Sequence, residues 1–276
     1  MRHFNVELKE LYPVQGGSVE GLLSDNPWDQ PPLEWRRPAV IVVPGGGYGM
    51  VSKREGTPVA SWFFARGYQV FILTYLCRPD GVGYPEQLIE LGCTVDYLKK
   101  NAEKFNVNPE EIFVVGFSAG GHLTGNLAVE YASISQKAGV ELDCKPTAVG
   151  LSYPVISQKT AYKGSHENLL WQYTDEAKAE LLKTLDLDEA VTKDTPPAFI
   201  WTTFGDTCVP CQNSLRFANA LAENGVLFEL HVYPIGDHGA STGSAEVNFR
   251  VTEEMKLSDW LGKCSDFFRS FCVEKY

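Results

Sequence analysis

The sequence predicts an open α/β fold, a doubly wound, mostly parallel sheet flanked by helices. Three observations carry that expectation. Short apolar runs rich in β-branched and aromatic residues recur at 39–43, 68–76, 112–115, 147–152, 198–203 and 227–233. Segments of helical spacing lie between several of them, the alternation that builds parallel strands through crossover connections. The runs 39–43 and 112–115 are continuously apolar rather than alternating, as strands covered by helices on both faces require. A chain of 276 residues can bury one large core and length alone allows one or two domains; a single domain over 1–276 is the expectation.

In chain order, Phe4, Val6 and Leu8 alternate as in an edge strand or hairpin, and 24–38 is a polar, proline-rich surface loop. The strand 39–43 stops at Pro44 and enters Pro44-Gly45-Gly46-Gly47-Tyr48-Gly49. Four glycines in six residues cost chain entropy, which makes sense where bare backbone N–H groups must approach a ligand. A phosphate cradle is disfavoured, because neither G-x-x-x-x-G-K-[ST] nor a G-x-G-x-x-G leading into a helix is present. A helix over 55–66 closes at Gly67, and the strand 68–76 follows. From 85 to 105, Leu88, Leu91, Val95, Leu98, Ala102 and Phe105 step by three and four, an amphipathic helix. Asn108-Pro109-Glu110-Glu111 reads as a turn into the strand 112–115, and helical spacing resumes at Leu123, Leu127 and Tyr131.

Beyond the strand 147–152 and Tyr153-Pro154, the stretch 157–193 is polar and weakly periodic. It reads as an insertion over the C-terminal edge of the sheet, a small lid, or equally as a crossover helix with long loops. Strand 198–203, helix 214–223 and strand 227–233 complete the sheet, each followed by a loop. In 257–271, Leu257, Trp260, Leu261, Cys264, Phe267, Phe268 and Phe271 share one helical face.

Chemistry concentrates between the strand 112–115 and the next helix, at Gly116-x-Ser118-x-Gly120. This is the pattern of a nucleophile elbow, a strained strand-to-helix turn that throws a serine hydroxyl clear of the sheet. The flanking glycines relieve crowding, and the helix aims amides and its positive dipole end at whatever Ser118 attacks. The glycine loop at 45–49 fits the HGGG-type segment that donates an amide opposite such an elbow, with Pro44 where that segment has histidine.

A serine hydroxyl needs a base, and the base needs an orienting acid; with an elbow, the chain order is Ser, acid, His. Of five histidines, His3 precedes the serine and sits near the start of the chain. His122 lies one turn into the elbow helix, a packing or capping position; His166 is in the polar insertion and His231 inside the last strand. Only His238 occupies a glycine-flanked loop just past a strand's C-terminal end, where open α/β sheets bind ligands. By the same criterion Asp206 is the acid, because Asp186, Asp188 and Asp194 fall in or near the insertion and Asp237 adjoins His238 too closely. Cys208-Val209-Pro210-Cys211 has redox-dithiol spacing, but Val209-Pro210 belongs to the acid loop, so these cysteines read as incidental. No matching pair of further ligands makes it a metal site.

The net charge of −11 argues against nucleic-acid and anionic-membrane partners, since no basic stripe is present to neutralise phosphates. It is compatible with a neutral small-molecule substrate. The first ten residues interleave charged and apolar side chains with no signal-peptide core, and no run is long enough to span a bilayer. Seven scattered cysteines suit a reducing cytoplasm. Oligomeric state is not legible.

Taken together, Pro44-Gly-Gly-Gly-Tyr, Gly116-Phe-Ser-Ala-Gly-Gly-His, Tyr153-Pro-Val-Ile, Thr195-Pro-Pro-Ala-Phe, Asp206-x-x-Val-Pro and Gly236-Asp-His238-Gly resemble small esterases of the α/β-hydrolase superfamily. Within it they are most similar to bacterial acetyl-esterase and acetylxylan-esterase-like carbohydrate esterases, from about residue 38 onward. The resemblance implies Ser118 as nucleophile, His238 as base and Asp206 as its orienter. It implies an oxyanion hole from the amides of Ala119 and of Gly46 or Gly47, and no metal or organic cofactor. It implies a short acyl group, acetate first, on a sugar or xylo-oligosaccharide, with Tyr48 and Trp171 as stacking surfaces. Trp171 stands where such proteins often have glycine after Asn168-Leu-Leu. An aryl-ester (feruloyl) hydrolase would share these motifs, and a catalytically idle ligand-binding relative is the alternative of another class.

Overall fold

The computed structural model describes residues 1–25, 36–160, 163–248, 257 and 259–273. Eight strands form one sheet in the order β1-β2-β4-β3-β5-β6-β7-β8. They are β1 (Arg2–Glu7), β2 (Ser18–Leu23), β3 (Arg37–Val43), β4 (Gln69–Thr74), β5 (Val107–Phe117), β6 (Ala148–Ser152), β7 (Ala198–Thr203) and β8 (Phe228–Tyr233). β1 pairs antiparallel with β2 and β2 with β4; the ladders from β4 through β3, β5, β6 and β7 to β8 are parallel. This is the α/β-hydrolase arrangement, in which every parallel strand delivers its following loop to the same edge.

The helices are α1 (Thr57–Phe64), α2 (Glu86–Lys100), α3 (Ala102–Phe105), α4 (Ala119–Ala138), α5 (Gly164–Leu169), α6 (Asp175–Leu185), α7 (Gln212–Glu223) and α8 (Asp259–Arg269). Strand side chains divide between two cores by their period of two. Ile41, Val43 and Val114 join the core covered by α2, α4 and α7. Val40, Val42, Phe113 and Val115 join the one covered by α1 and α8, where Phe113 stacks on Phe268 with centroids 4.5 Å apart.

Three elements depart from the sequence reading, and one alternative is decided. Residues 108–111 are not a turn: β5 begins at Val107, beside Arg37, with an irregularity in its ladder before Ile112 pairs with Ala39. The predicted helix 85–105 breaks at Asn101, and its last turn ends at Asn106 in the left-handed conformation. The predicted helix 55–66 starts instead at Thr57, with Pro58 in its first turn; residues Lys53–Glu55 form a separate 3-10 turn. The stretch 157–193 follows the crossover alternative, with helices α5 and α6 and a 3-10 turn at Leu187–Glu189 among its described residues between β6 and β7. Of the predicted loop 24–38, residues 26–35 lie outside the described residues, and Arg37 and Pro38 open β3.

Candidate active site

Four loops leaving the C-terminal ends of parallel strands build the site: the glycine loop after β3, the elbow after β5, the Asp206 loop after β7 and the His238 loop after β8. Ser118 itself has φ 52° and ψ −115°. Such a conformation costs a non-glycine residue about 1–3 kcal/mol and persists only where the surroundings over-determine it. Here they do. Its N–H donates to the Ser152 carbonyl at 3.0 Å, and its own carbonyl accepts from His122 N–H at 3.0 Å and Val155 N–H at 3.1 Å. The glycine requirement is steric: a Cβ on Gly116 would lie 2.2 Å from the Gly120 carbonyl oxygen, and one on Gly120 2.2 Å from that of Val43.

The structure brings the three predicted side chains into one line. Ser118 Oγ lies 2.8 Å from His238 Nε2, and His238 Nδ1 lies 2.6 Å from Asp206 Oδ2. Asp206 is fully buried in its side chain, while His238 keeps 21% exposure. The other Asp206 oxygen accepts from the amides of Cys208 at 2.9 Å and Val209 at 2.8 Å, which fixes the carboxylate's rotation. The geometry suits proton transfer from the serine to an imidazole held in one tautomer.

The glycine loop turns through positive φ at Gly46 (128°), Gly47 (64°) and Tyr48 (57°). A Cβ on Gly46 would lie 2.1 Å from the Met50 carbonyl oxygen, so this turn excludes a side chain there. Gly45 N–H donates to Glu55 Oε2 at 2.8 Å and is therefore committed. No acceptor among the described residues takes the amides of Gly46, Gly47 or Ala119. Ala119 is the first residue of α4, where helix amides are orphaned and the dipole is positive.

Of the two aromatic platforms expected from the resemblance, Tyr48 is corrected. It is 1% exposed and donates its hydroxyl to His122 Nδ1 at 2.8 Å, so its ring is packed away from solvent rather than presented to a sugar. The positive φ of Tyr48 turns the side chain inward, which spacing cannot reveal. Trp171 is 39% exposed and is pinned by its Nε1–H on the Val82 carbonyl at 3.0 Å. The neighbouring Asn168 donates to the Gly47 carbonyl at 2.8 Å and accepts from Arg78 at 3.0 Å, docking α5 on the glycine loop.

His122 is fully buried, as its helix position suggested. The insertion's His166 joins it, with rings 4.8 Å apart and both Nε2 atoms on the Leu185 carbonyl, at 3.0 and 3.2 Å. Cys208 and Cys211 are both free thiols, the first exposed and the second buried. Burial and the nearby Asp206 charge push the Cys208 thiol up, opposite to what a redox dithiol needs. Among the described residues, no cluster of three or more His, Cys, Asp or Glu side chains is placed to hold a metal ion. No helix among them is long and apolar enough to cross a membrane.

Sequence reasoning missed two polar side chains behind this site, Glu55 and Tyr153. Each is buried, and their side chains hydrogen-bond at 2.7 Å. The available signals were a lone acid just after a glycine loop and an aromatic residue at the C-terminal end of the strand beside the elbow strand.

Residues 31–221 match the BD-FAE family. The chain belongs to this family. It is similar to an endo-1,4-β-xylanase B of Butyrivibrio fibrisolvens, 35% identical over 217 residues that cover 76% of this chain and 34% of that protein. It is also similar to an acetylxylan esterase of Xylanibacter ruminicola, 32% identical over 232 residues that cover 81% of this chain and 45% of that protein. The chain thus spans less than half the length of either curated relative. Among solved structures, an acetyl ester-xyloside bifunctional hydrolase of Caldicellulosiruptor lactoaceticus superposes with a TM-score of 0.81 at 30% identity, covering 98% of this chain and 96% of that one. In this member of the BD-FAE family, the glycine loop, the elbow and Asp206 all fall inside the matched residues, and His238 lies beyond them.

Proposed function

We propose that the chain is a serine carboxylesterase that removes short acyl groups, acetate first, from acylated sugars such as xylo-oligosaccharides. The observation that carries the reading is the continuous hydrogen-bonded line from Ser118 through His238 to Asp206, beside the uncommitted amides of Ala119 and the glycine loop. Ser118 Oγ attacks the ester carbonyl while His238 Nε2 takes its proton, and Asp206 stabilises the imidazolium that forms. The tetrahedral oxyanion is held by Ala119 N–H and by Gly46 or Gly47 N–H, each worth about 3–4 kcal/mol by analogy with measured oxyanion donors. His238 returns the proton to the departing sugar oxygen, then activates the water that releases acetate and regenerates Ser118.

The sugar preference is supported by the similarity to the xylanase, the acetylxylan esterase and the acetyl ester-xyloside hydrolase, and by the half-exposed ring of Trp171. All seven cysteines are free, which supports a cytoplasmic setting. The deciding experiment measures acetate release from acetylated xylo-oligosaccharides beside p-nitrophenyl acetate, p-nitrophenyl butyrate and methyl ferulate, with Ser118→Ala as blank. Fast sugar deacetylation lost in the variant is expected. Strong p-nitrophenyl turnover without sugar deacetylation would remove the sugar substrate, and dominant ferulate hydrolysis would make the protein an aryl esterase.

A further inference from the structure

We propose that Glu55 and Tyr153 are positioning residues that tie the oxyanion-side glycine loop to the loop carrying His238 through one buried carboxylate–phenol pair. The inference rests on the esterase reading for its consequence, but the link itself is geometric. Glu55 is 4% exposed, and both its oxygens are engaged: Oε2 accepts from Gly45 N–H at 2.8 Å and Oε1 from the Tyr153 hydroxyl at 2.7 Å. The Tyr153 oxygen in turn accepts from Ser241 N–H at 2.9 Å, three residues beyond His238. The chain closes into a ring, because Ser241 Oγ donates to the Arg54 carbonyl at 2.6 Å and the Arg54 guanidinium donates to the Gly239 carbonyl. The Tyr153 ring meets the His238 imidazole edge-on, with centroids 5.1 Å apart.

Neither residue is explained by packing alone. Burying a carboxylate is unfavourable by several kcal/mol unless hydrogen bonds offset it, and an apolar residue would fill the same space without that cost. What a carboxylate supplies is two acceptors at a fixed separation. One acceptor faces an amide next to Gly46, and the other reaches the His238 loop through Tyr153. Tyr153 is itself held at φ 37°, with its N–H on the Trp201 carbonyl at 2.7 Å, so its hydroxyl has little freedom to wander. Oxyanion donors and base must keep their spacing to a fraction of an ångström, and misplacement by about 1 Å can cost 10²-fold in rate.

Glu55→Gln is nearly isosteric but has one acceptor where two are needed: with its oxygen on Gly45 N–H, its NH2 faces the Tyr153 hydroxyl, and the O–H that donated to Oε1 loses that acceptor. Tyr153→Phe cuts the same ring at its next bond. With p-nitrophenyl acetate, Glu55→Gln should lower kcat about 10- to 100-fold and Tyr153→Phe about 5- to 30-fold, with KM within about threefold. The double variant should be little worse than Glu55→Gln, because both changes break one link. Hydrogen exchange should show protection lost at the amides of Gly45 and Ser241 in the single variants. A folded Glu55→Gln protein with kcat within about twofold of wild type overturns the proposal, as do additive losses in the double variant or a rise in KM alone. If Glu55→Gln does not fold, Tyr153→Phe decides by the same kcat and exchange criteria. A wild type that neither turns over ester nor reacts with a fluorophosphonate at Ser118 defeats the esterase reading instead, and exchange at Gly45 and Ser241 still reports whether the link exists.

Discussion

Two histidine environments lie on either side of Ser118, and they put the same side chain to opposite uses. At the sheet's C-terminal edge, His238 is partly exposed, with a buried carboxylate on one nitrogen and the serine hydroxyl on the other. Under α5 and α6, His122 and His166 are buried against a tyrosine hydroxyl, a carbonyl and each other. Burial, with the neighbouring His166 adding to it, holds His122 down at about 3, and burial likewise lowers His166. These two are neutral struts joining the elbow helix to the insertion. The first environment is the one that suits acid–base work, because a serine hydroxyl and an orienting carboxylate meet on one ring.

The largest effects should come from breaking the first environment. Ser118→Ala and His238→Ala should each lower kcat by on the order of 10⁴ or more, and the double variant little further, because the two act as one unit. Steady-state kinetics on p-nitrophenyl acetate checks this, and losses that multiply would show that they act separately. Asp206→Asn should cost about 10²–10⁴-fold in kcat, since the amide can present the wrong hydrogen-bonding face to Nδ1; an unchanged rate would assign the orienting role to another acid.

Breaking the second environment should move stability instead. His122→Leu leaves the Tyr48 hydroxyl without its acceptor and should cost about 2–4 kcal/mol, read as a lower denaturant midpoint. The pH dependence has a definite sign. Between about 3 and 6.5 the unfolded chain binds a proton at His122 that the folded chain does not, so stability is present above pH 6.5 and drains as pH falls. Each such histidine can contribute up to about 1.4 kcal/mol per pH unit, and the slope should be shallower in His122→Leu. An identical slope would place the acid sensitivity elsewhere.

The smallest effect tests a buried acid that touches neither histidine group. Glu90 accepts from Leu76 N–H at 2.9 Å, and burial pushes its carboxyl up to about 8. Its contribution is lost as pH rises from about 4.5 toward 8, because ionisation is easier in the unfolded chain. Glu90→Gln keeps the acceptor and removes the charge, so it should raise Tm by a few degrees at pH 9 and leave it nearly unchanged at pH 5. A lower Tm at pH 9 would mean that the ionised carboxylate is stabilising.

The parallel strands were legible because apolar runs between helical segments admit few other architectures; β5 was misplaced furthest at its start, where Asn108 and Pro109 mimic a turn. The elbow was legible because its glycines answer a local steric need, with backbone atoms about 2 Å from where a Cβ would stand. The positions of Asp206 and His238 followed from chain order and strand ends. Local sequence therefore determined the parallel strands in outline, the strained turn and the residue types that meet around Ser118. What only tertiary structure decided is which way the remaining polar side chains face. Tyr48 turned inward to His122, Glu55 left its expected helix for a 3-10 turn, and Tyr153 reached across to Ser241. Each of those outcomes depends on a partner between 74 and 98 residues away, and no local periodicity encodes such a partner.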